Sequence, residues 1–291
     1  MIENEGKPGQ KIVTIYDDIY DLPDCRSYYR AMDHAGFGTA HHAVKAFRPV
    51  LAELKRRRGL QSTKIMDFAS GYGIAAALMR HDISLDDVLL RYRDSWFDDA
   101  ETDDVIKADK TWLSERVRPD QSDRYGGIDI AGNALKYGEK TGIFDAGFAE
   151  NLQDDEPSGA LNEWLQDCEL VVECGSVIHM LPGALEKVLR STASSEAWIC
   201  GAPIRGNDTA EAFDMMRDYG REPVILPVSP FRHRSFSSEE EQARGIENAQ
   251  ARGHETSGYE DTGFFHAQVF LAQPKSEAMS PDEWQKVLTS A

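Results

Sequence analysis

The chain has 291 residues, of which 41% are hydrophobic, and this is enough to bury one substantial core. Its 50 acidic residues against 32 basic ones give a formal net charge of −18, which would repel a phosphate backbone and argues against a nucleic-acid substrate. The polar start has no apolar signal-peptide core, and no apolar run approaches the roughly 20 residues of a bilayer span, so we expect a cytoplasmic protein without a membrane partner.

The first 62 residues form a predicted N-terminal cap. A tyrosine-rich segment from Tyr16 to Arg30 precedes a helix predicted over Thr39–Arg58. Aromatic rings in such a cap can close over a cation and exclude water, and Tyr20 and Tyr28 are the candidates for that role. The alternative is that these tyrosines are packing residues of a surface helix.

From residue 63 to residue 291, strands alternate with helices. This alternation predicts an α/β domain with a Rossmann-like, seven-stranded, mostly parallel sheet and helices on both faces. The predicted strands are Lys64–Phe68, Tyr125–Ile130, Ala146–Ala149, Leu170–Cys174, Ala197–Ala202, Pro223–Val228 and Phe264–Ala272. Residues 82–123 are a predicted helical insertion, in which Ser84 opens one helix with a capping box and Thr102 caps another.

No metal site is predicted. The four cysteines are scattered without a CxxC pair, which fits neither a zinc site nor a disulfide framework and predicts small buried thiols. The acidic run at 98–104 is interpreted as a solvated loop and helix start. His34, His41 and His42 could share a helix face, but without a nearby carboxylate pattern we interpret them as surface or packing residues.

The first predicted strand carries Asp67 and leads through a turn with Gly71 and Gly73 into a helix. Glycines let the backbone approach a ligand closely, and the helix start offers free amides to an anionic group. The turn also matches a loose dinucleotide fingerprint, which alone is a weak indicator. Asp67 would oppose a diphosphate and favour a cationic amino acid instead.

This segment resembles the first motif of the class I S-adenosylmethionine-dependent methyltransferases, which reads acid-x-Gly-x-Gly-x-Gly. Ala69 stands where the family has its first glycine, and alanine cannot adopt a left-handed backbone without cost. The resemblance extends over roughly Lys64 to Pro274, and the tyrosine-rich start resembles that of a bacterial branch of the family. It implies that the cofactor is S-adenosylmethionine, whose methionyl carboxylate would meet the amides of the helix start.

Three later segments resemble further motifs of the same family. Asp129 follows the second strand and would accept hydrogen bonds from both ribose hydroxyls, unless it only caps the next helix. Glu150 stands in the third motif and would meet the adenine amino group, and the exit of the fourth strand would lie beside the reactive methyl. The resemblance thus implies these cofactor-binding residues: Asp67, Ala69, Gly71, Gly73, Asp129, Ile130, Asn133, Glu150, Asn151, Cys174, Gly175 and Ser176.

Methyl transfer mainly needs alignment and a dry site. If the acceptor requires a base, His179 is the most natural candidate because an ordinary histidine pKa of about 6.5 suits proton removal near neutrality. Its alternative is a structural histidine that follows the strand. Glu173 and Tyr137 are weaker choices, and Tyr20 and Tyr28 of the cap complete the catalytic candidates.

The exit loop lacks the Asn/Asp-Pro-Pro-aromatic signature with which resembling families methylate amide or base nitrogens. We therefore expect a small-molecule acceptor, in secondary metabolism. One alternative is cyclisation of the cofactor with release of methylthioadenosine, as in the azetidine-2-carboxylate synthases, which look like methyltransferases with an added N-terminal cap. A non-catalytic cofactor-binding regulator is another, and a nicotinamide dehydrogenase comes last. The sequence identifies neither the acceptor nor the oligomeric state.

Overall fold

A seven-stranded sheet forms the centre of the computed structural model, which describes residues 17–119, 122–175 and 180–290. The strands of the molecule, in chain order, are β1 (Lys64–Phe68), β2 (Arg124–Asp129), β3 (Ala146–Ala149), β4 (Cys168–Glu173), β5 (Trp198–Gly201), β6 (Arg221–Ile225), β7 (Phe231–Ser235), β8 (Phe264–Ala267) and β9 (Phe270–Pro274). The order in the large sheet is β3-β2-β1-β4-β5-β9-β6. Strands β1 to β5 pair in parallel, and β9 is antiparallel to both of its neighbours. The predicted Rossmann-like, mostly parallel α/β fold is confirmed.

Thirteen helices of the described ranges surround this sheet. They are α1 (Asp17–Tyr20), α2 (Arg26–His34), α3 (Thr39–Arg58), α4 (Ile74–Arg80), α5 (Leu85–Arg91), α6 (Trp96–Asp99), α7 (Thr102–Ser114), α8 (Gly132–Thr141), α9 (Gly159–Gln166), α10 (Pro182–Ser191), α11 (Ala210–Asp218), α12 (Glu239–Ala251) and α13 (Pro281–Ser290). None of these helices combines the length and the apolarity that a membrane span requires. Two buried apolar clusters fill the space between the helices and the sheet.

The central strands are apolar because they are covered on both sides. Leu170, Val171 and Val172 of β4 are all fully buried, and so are Ile65 and Met66 of β1. Near-continuous apolar runs are typical of parallel strands, since helices cover both faces of such a sheet. Polar side chains at the ends of these strands are therefore exceptions to the apolar pattern and are candidates for a functional role.

The end of the sheet differs from the prediction. The predicted strand Phe264–Ala272 is two strands, of which β9 belongs to the large sheet and β8 pairs with β7 in a separate two-stranded sheet. The chain changes sheets at Gln268, whose amide donates to the carbonyl of Pro203. Strand β7 was not predicted because its two arginines and one histidine hide the alternation of a strand.

The helical insertion is present between β1 and β2 as α5, α6 and α7. The predicted capping box at Ser84 is confirmed, with the Asp87 amide donating to the Ser84 hydroxyl at 3.1 Å and the Ser84 amide donating to the Asp87 carboxylate at 2.8 Å. The predicted cap at Thr102 is wrong. Thr102 is already the first helical residue, and its hydroxyl donates to Asp24 of the N-terminal segment at 2.7 Å.

A buried polar cluster joins the N-terminal segment to the insertion. Its centre is Asp109, which accepts hydrogen bonds from Arg91 (2.8 Å), Tyr92 (3.0 Å) and Tyr137 (2.9 Å). The thiol of Cys25 donates to the hydroxyl of Tyr92 at 3.0 Å. Tyr137 is thus a structural residue and not the base that the sequence suggested, because burial raises the pKa of its phenol and its hydroxyl donates a hydrogen bond to Asp109.

Candidate functional site

The strand order reverses between β1 and β4, and at such a point open α/β sheets form their ligand crevice, at the carboxyl ends of the parallel strands. Strand β2 lies on one side of β1 and strand β4 on the other, so the chain leaves the sheet in opposite directions from this point. Ligands of open α/β sheets bind at such a switch point. Asp67, Asp129 and Glu173 all lie within the last two residues of their strands here, and each of the three is at least 94% buried. The crevice is therefore lined by carboxylates.

Asp67 is buried without a cation beside it in the described part of the chain. Its carboxylate accepts one hydrogen bond there, from the Ala76 amide at 3.2 Å, so one of the amides at the start of α4 is satisfied from within the protein. Burial raises the pKa of Asp67 to about 8, with help from the charges of Glu173 and Asp129. A cationic ligand would offset this cost, and an anionic ligand would increase it.

The turn after β1 has an unusual backbone. Ala69, Gly71 and Gly73 all lie in the left-handed region, with φ of 52°, 51° and 78°. For glycine this conformation is free of strain, whereas for alanine it costs about 1–2 kcal/mol. A β-carbon at Gly73 would also lie 2.6 Å from the Phe144 ring, so only glycine fits there. The turn brings bare backbone to the floor of the crevice.

Asp129, at the end of β2, reaches across to this turn. The Gly71 amide donates to its Oδ2 at 2.8 Å, and the Ala131 amide donates to its Oδ1 at 2.9 Å. Burial raises the pKa of Asp129 as well. The residue does not cap α8, whose N-cap residue is Ala131. Ile130 beside it is 69% exposed, and an apolar surface next to a buried carboxylate suits a ligand with a flat ring and a hydroxylated part.

The residues after β3 join this arrangement through the backbone, since the Glu150 amide donates to the Asp129 carbonyl at 3.0 Å, while their side chains bind close neighbours in the chain. Both oxygens of the Glu150 carboxylate are engaged by Ser158, from its amide at 2.9 Å and its hydroxyl at 2.6 Å. Ser158 is the N-cap of α9, so Glu150 supports that helix start, and its contact with the adenine amino group stays a prediction. Asn151 is held in its own turn, donating to Asp154 at 2.8 Å and accepting from the Gln153 amide.

The end of β4 supplies the third side of the crevice. The Glu173 side chain is 1% exposed, and the half-buried Cys174 and Gly175 follow it. Burial, and next the charge of Glu173, raises the pKa of the Cys174 thiol well above its ordinary value. The predicted residues Ser176 and His179 lie outside the described residues, so the base role of His179 stays a prediction.

The tyrosine-rich segment covers the turn. The ring of Tyr20 lies 5.7 Å from that of Tyr28, which lies 5.3 Å from that of Tyr72 in the turn itself. Tyr72 donates to the carbonyl of Leu22 at 2.9 Å. Sequence reasoning missed Tyr72, although an aromatic residue between two turn glycines was a usable signal.

Asp21 was missed too, and no sequence signal pointed to it. Its carboxylate accepts hydrogen bonds from the amides of Asn133 (2.6 Å) and Ala134 (3.3 Å) at the start of α8. The Asn133 side chain donates to the Asp21 carbonyl at 3.0 Å. The N-terminal segment therefore contacts the crevice on the β2 side as well as at the turn.

No protein-family model matches the chain, and no curated protein matches it by sequence. The solved structures to which it is similar include S-adenosylmethionine-dependent methyltransferases. A TehB-like enzyme from Corynebacterium glutamicum is 14% identical over 84% of this chain and 94% of its own, with a TM-score of 0.39. An enzyme from Aquifex aeolicus is 12% identical over 84% and 97%, with a TM-score of 0.36. A plantazolicin methyltransferase solved with S-adenosylhomocysteine is 11% identical over 86% and 88%, with a TM-score of 0.40. Identities this low do not transfer an activity.

Proposed function

We propose that this protein is an S-adenosylmethionine-dependent methyltransferase that acts on a small-molecule acceptor. The observation that carries the proposal is the set of three buried carboxylates, Asp67, Asp129 and Glu173, around the left-handed turn at the switch point. A dinucleotide would bring its pyrophosphate against Asp67 and Glu173, which is repulsive at any plausible distance in a buried site. S-adenosylmethionine brings an ammonium, a sulfonium and a ribose, each of which a carboxylate favours.

The residues present fit this cofactor. Asp129 would hold the ribose hydroxyls, and the exposed Ile130 would cover one face of the adenine. Asp67 and Glu173 would face the cationic part, and the turn at Gly71 lets the backbone come close. When bound, the cofactor supplies a methyl group on a sulfonium leaving group. The role of the chain is to align the acceptor with that methyl and to keep water out.

Two features support a small acceptor over a macromolecule. The net charge of −18 disfavours nucleic acids. The N-terminal segment, with Tyr20 and Tyr28, lies beside the turn, so it would border the acceptor when the cofactor is bound. Aromatic side chains at the border of a site suit a compact acceptor.

Binding of S-adenosylhomocysteine, measured by isothermal titration calorimetry, tests the cofactor. We expect Asp129→Ala to weaken binding by about a hundredfold, because hydrogen bonds from the two ribose hydroxyls to a carboxylate are lost. Asp214→Ala is the control, since Asp214 is an exposed acid on α11 paired with Arg217. Thermal unfolding of each variant establishes that it is folded. A wild-type protein that binds a nicotinamide dinucleotide but not S-adenosylhomocysteine would contradict the proposal.

Cyclisation of the cofactor is the second candidate, and the tyrosine cap over the turn favours it, because self-attack needs an enclosed site and no acceptor channel. Incubation with S-adenosylmethionine alone, followed by mass spectrometry, separates the two reactions. Methylthioadenosine together with a cyclic amino acid would identify a cyclase. Cofactor that survives until an acceptor-containing extract is added, and then becomes S-adenosylhomocysteine, would identify a methyltransferase. Cofactor that is bound but unchanged by every extract would identify a regulator.

A further inference from the structure

The Tyr20 hydroxyl occupies an acceptor site on the Asp129 carboxylate, which the proposed function assigns to the ribose hydroxyls. It donates to Oδ2 of Asp129 at 3.1 Å, on the same oxygen that accepts the Gly71 amide. The Ala131 amide occupies the other oxygen. A carboxylate offers about four acceptor sites, and three donors already use this one. Two ribose hydroxyls therefore cannot join without displacing a donor.

Tyr20 also takes space at the turn. A β-carbon placed on Gly71 would lie 3.0 Å from the Tyr20 hydroxyl oxygen and 3.2 Å from the ring carbon that bears it. The phenol end thus lies directly against the bare backbone that a ligand would need to approach. The other two donors on Asp129 are backbone amides of the turn and of the β2 exit. Tyr20 belongs to the N-terminal segment, so its hydroxyl can leave Asp129 while the turn and the β2 exit keep their hydrogen bonds.

The next two residues hold this segment at separate points. Asp21 accepts from the Asn133 and Ala134 amides of α8, and the Leu22 carbonyl accepts from Tyr72. Residues 20–22, the N-terminal plug, are thus tied to the β2 exit, to α8 and to the turn. Each of these attachments is a hydrogen bond, so it can be exchanged for a hydrogen bond with a ligand or with water.

We propose that the N-terminal plug occupies the ribose position of the cofactor site and must leave Asp129 before the cofactor binds. This inference rests on the proposed function. The apparent dissociation constant of the cofactor is then the intrinsic one divided by the fraction of molecules in which the plug is open. It makes cofactor binding a competition between one phenol hydroxyl of the chain and the hydroxyls of the ligand.

Removing the competing hydroxyl tests the plug. Calorimetric dissociation constants for S-adenosylhomocysteine are compared for the wild type, Tyr20→Phe, Asp21→Ala and the control Tyr219→Phe. We expect Tyr20→Phe to bind about tenfold more tightly, because a hydrogen bond to a carboxylate is removed from the closed form only. Asp21→Ala should also tighten binding, since it releases the plug from α8. Tyr219 donates to Glu186 at 3.2 Å on another surface, so its variant should bind as the wild type does.

Amide hydrogen exchange gives a second measurement. Saturating S-adenosylhomocysteine should accelerate exchange in residues 20–22 of the wild type, whereas a plug that stays on Asp129 would exchange more slowly. The plug proposal would be contradicted if Tyr20→Phe and Asp21→Ala bind no more tightly than the wild type and the ligand slows amide exchange in the plug. The proposed function would still stand in that case. Failure of all four proteins to bind would overturn the proposed function, and with it the plug, whose role is to compete with that ligand.

Discussion

Two buried aspartates of this protein have opposite surroundings. Asp109, between the insertion and the N-terminal segment, is 1% exposed and accepts hydrogen bonds from Arg91, Tyr92 and Tyr137. Asp67, at the crevice, is 2% exposed and accepts one bond, from the Ala76 amide, in the described part of the chain. Burial raises the pKa of both carboxyls, but at Asp109 the guanidinium and the two phenols oppose the rise, whereas at Asp67 the neighbouring Glu173 and Asp129 add to it.

The difference separates a carboxylate that serves the fold from one that serves a ligand. A buried charge is tolerated when the chain itself supplies its donors, and Asp109 has them. A buried acid among other acids, at a switch point, needs a partner that the described part of the chain does not supply. The comparison therefore predicts that the Asp109 carboxylate stabilises the fold, whereas ionisation of Asp67 destabilises it.

The largest effect is expected at Asp109. Asp109→Ala should lower the free energy of unfolding by about 3–5 kcal/mol, because it leaves a largely buried guanidinium and two buried hydroxyls without their acceptor. Urea unfolding followed by circular dichroism measures the change. The exposed Asp214 provides the control, and Asp214→Ala should change stability by no more than about 0.5 kcal/mol. A loss below about 1 kcal/mol at Asp109 would show that the cluster does not hold the insertion.

Asp67→Asn should change the pH dependence of stability. Since the Asp67 pKa of about 8 lies above its ordinary value near 3.9, the folded protein holds a proton that the unfolded chain releases. The wild type therefore loses stability as pH rises from about 4 to about 8, and the variant lacks this loss. A pKa shift of one unit corresponds to about 1.4 kcal/mol. Between pH 5 and pH 8, we therefore expect the free energy of unfolding of the wild type to fall, relative to that of the variant, by at least that much.

Urea midpoints of the wild type and Asp67→Asn at pH 5 and pH 8 measure this divergence. All other titrating groups are common to the two proteins, so only the difference between them is interpreted. The asparagine oxygen can still accept from the Ala76 amide, which keeps the turn intact. Parallel pH curves would mean that Asp67 is compensated in the folded protein, and the contrast with Asp109 would disappear.

Much of the large sheet could be predicted from the sequence because its signals are local. Apolar runs interrupted by helices give β1 to β5, and parallel strands place their carboxyl ends at one edge, so Asp67, Asp129 and Glu173 could be expected together. The β7–β8 pair could not be predicted, since Phe231–Ser235 alternates aromatic, basic and hydroxyl side chains without an apolar face. Its partner strand was hidden inside a longer apolar run.

The site was harder to predict because several of its contacts join distant residues. Tyr20 and Asp129 are 109 residues apart, and Asp21 and Asn133 are 112 apart, so no spacing rule connects them. At Glu150 the family resemblance suggested a ligand contact, but a helix start eight residues later provides its own donors. The sequence showed which acids end strands, and only the packing of the chain decides which of them remain available to a ligand.

Backbone strain also differs between the surroundings of the two aspartates, and the smallest expected effect on stability concerns this strain. Among the described non-glycine residues, positive φ occurs at Ala69 beside Asp67 and at Glu196, and not in α5 to α7 around Asp109. Ala69→Gly removes a left-handed penalty of about 1–2 kcal/mol but adds chain entropy to the unfolded state and loses a partly buried methyl. We expect a net stabilisation of about 0.5 kcal/mol in urea unfolding.

Ala77→Gly is the matched control because it makes the same chemical change inside helix α4, where φ is ordinary and glycine should destabilise by about 1 kcal/mol or more. The two substitutions should therefore have opposite signs. If Ala69→Gly destabilises the protein as Ala77→Gly does, the turn is not strained. The alanine at position 69 then costs the fold no stability. If the signs differ, the turn keeps a strained residue beside an uncompensated acid, which is where strain is expected when a structure is shaped for a ligand.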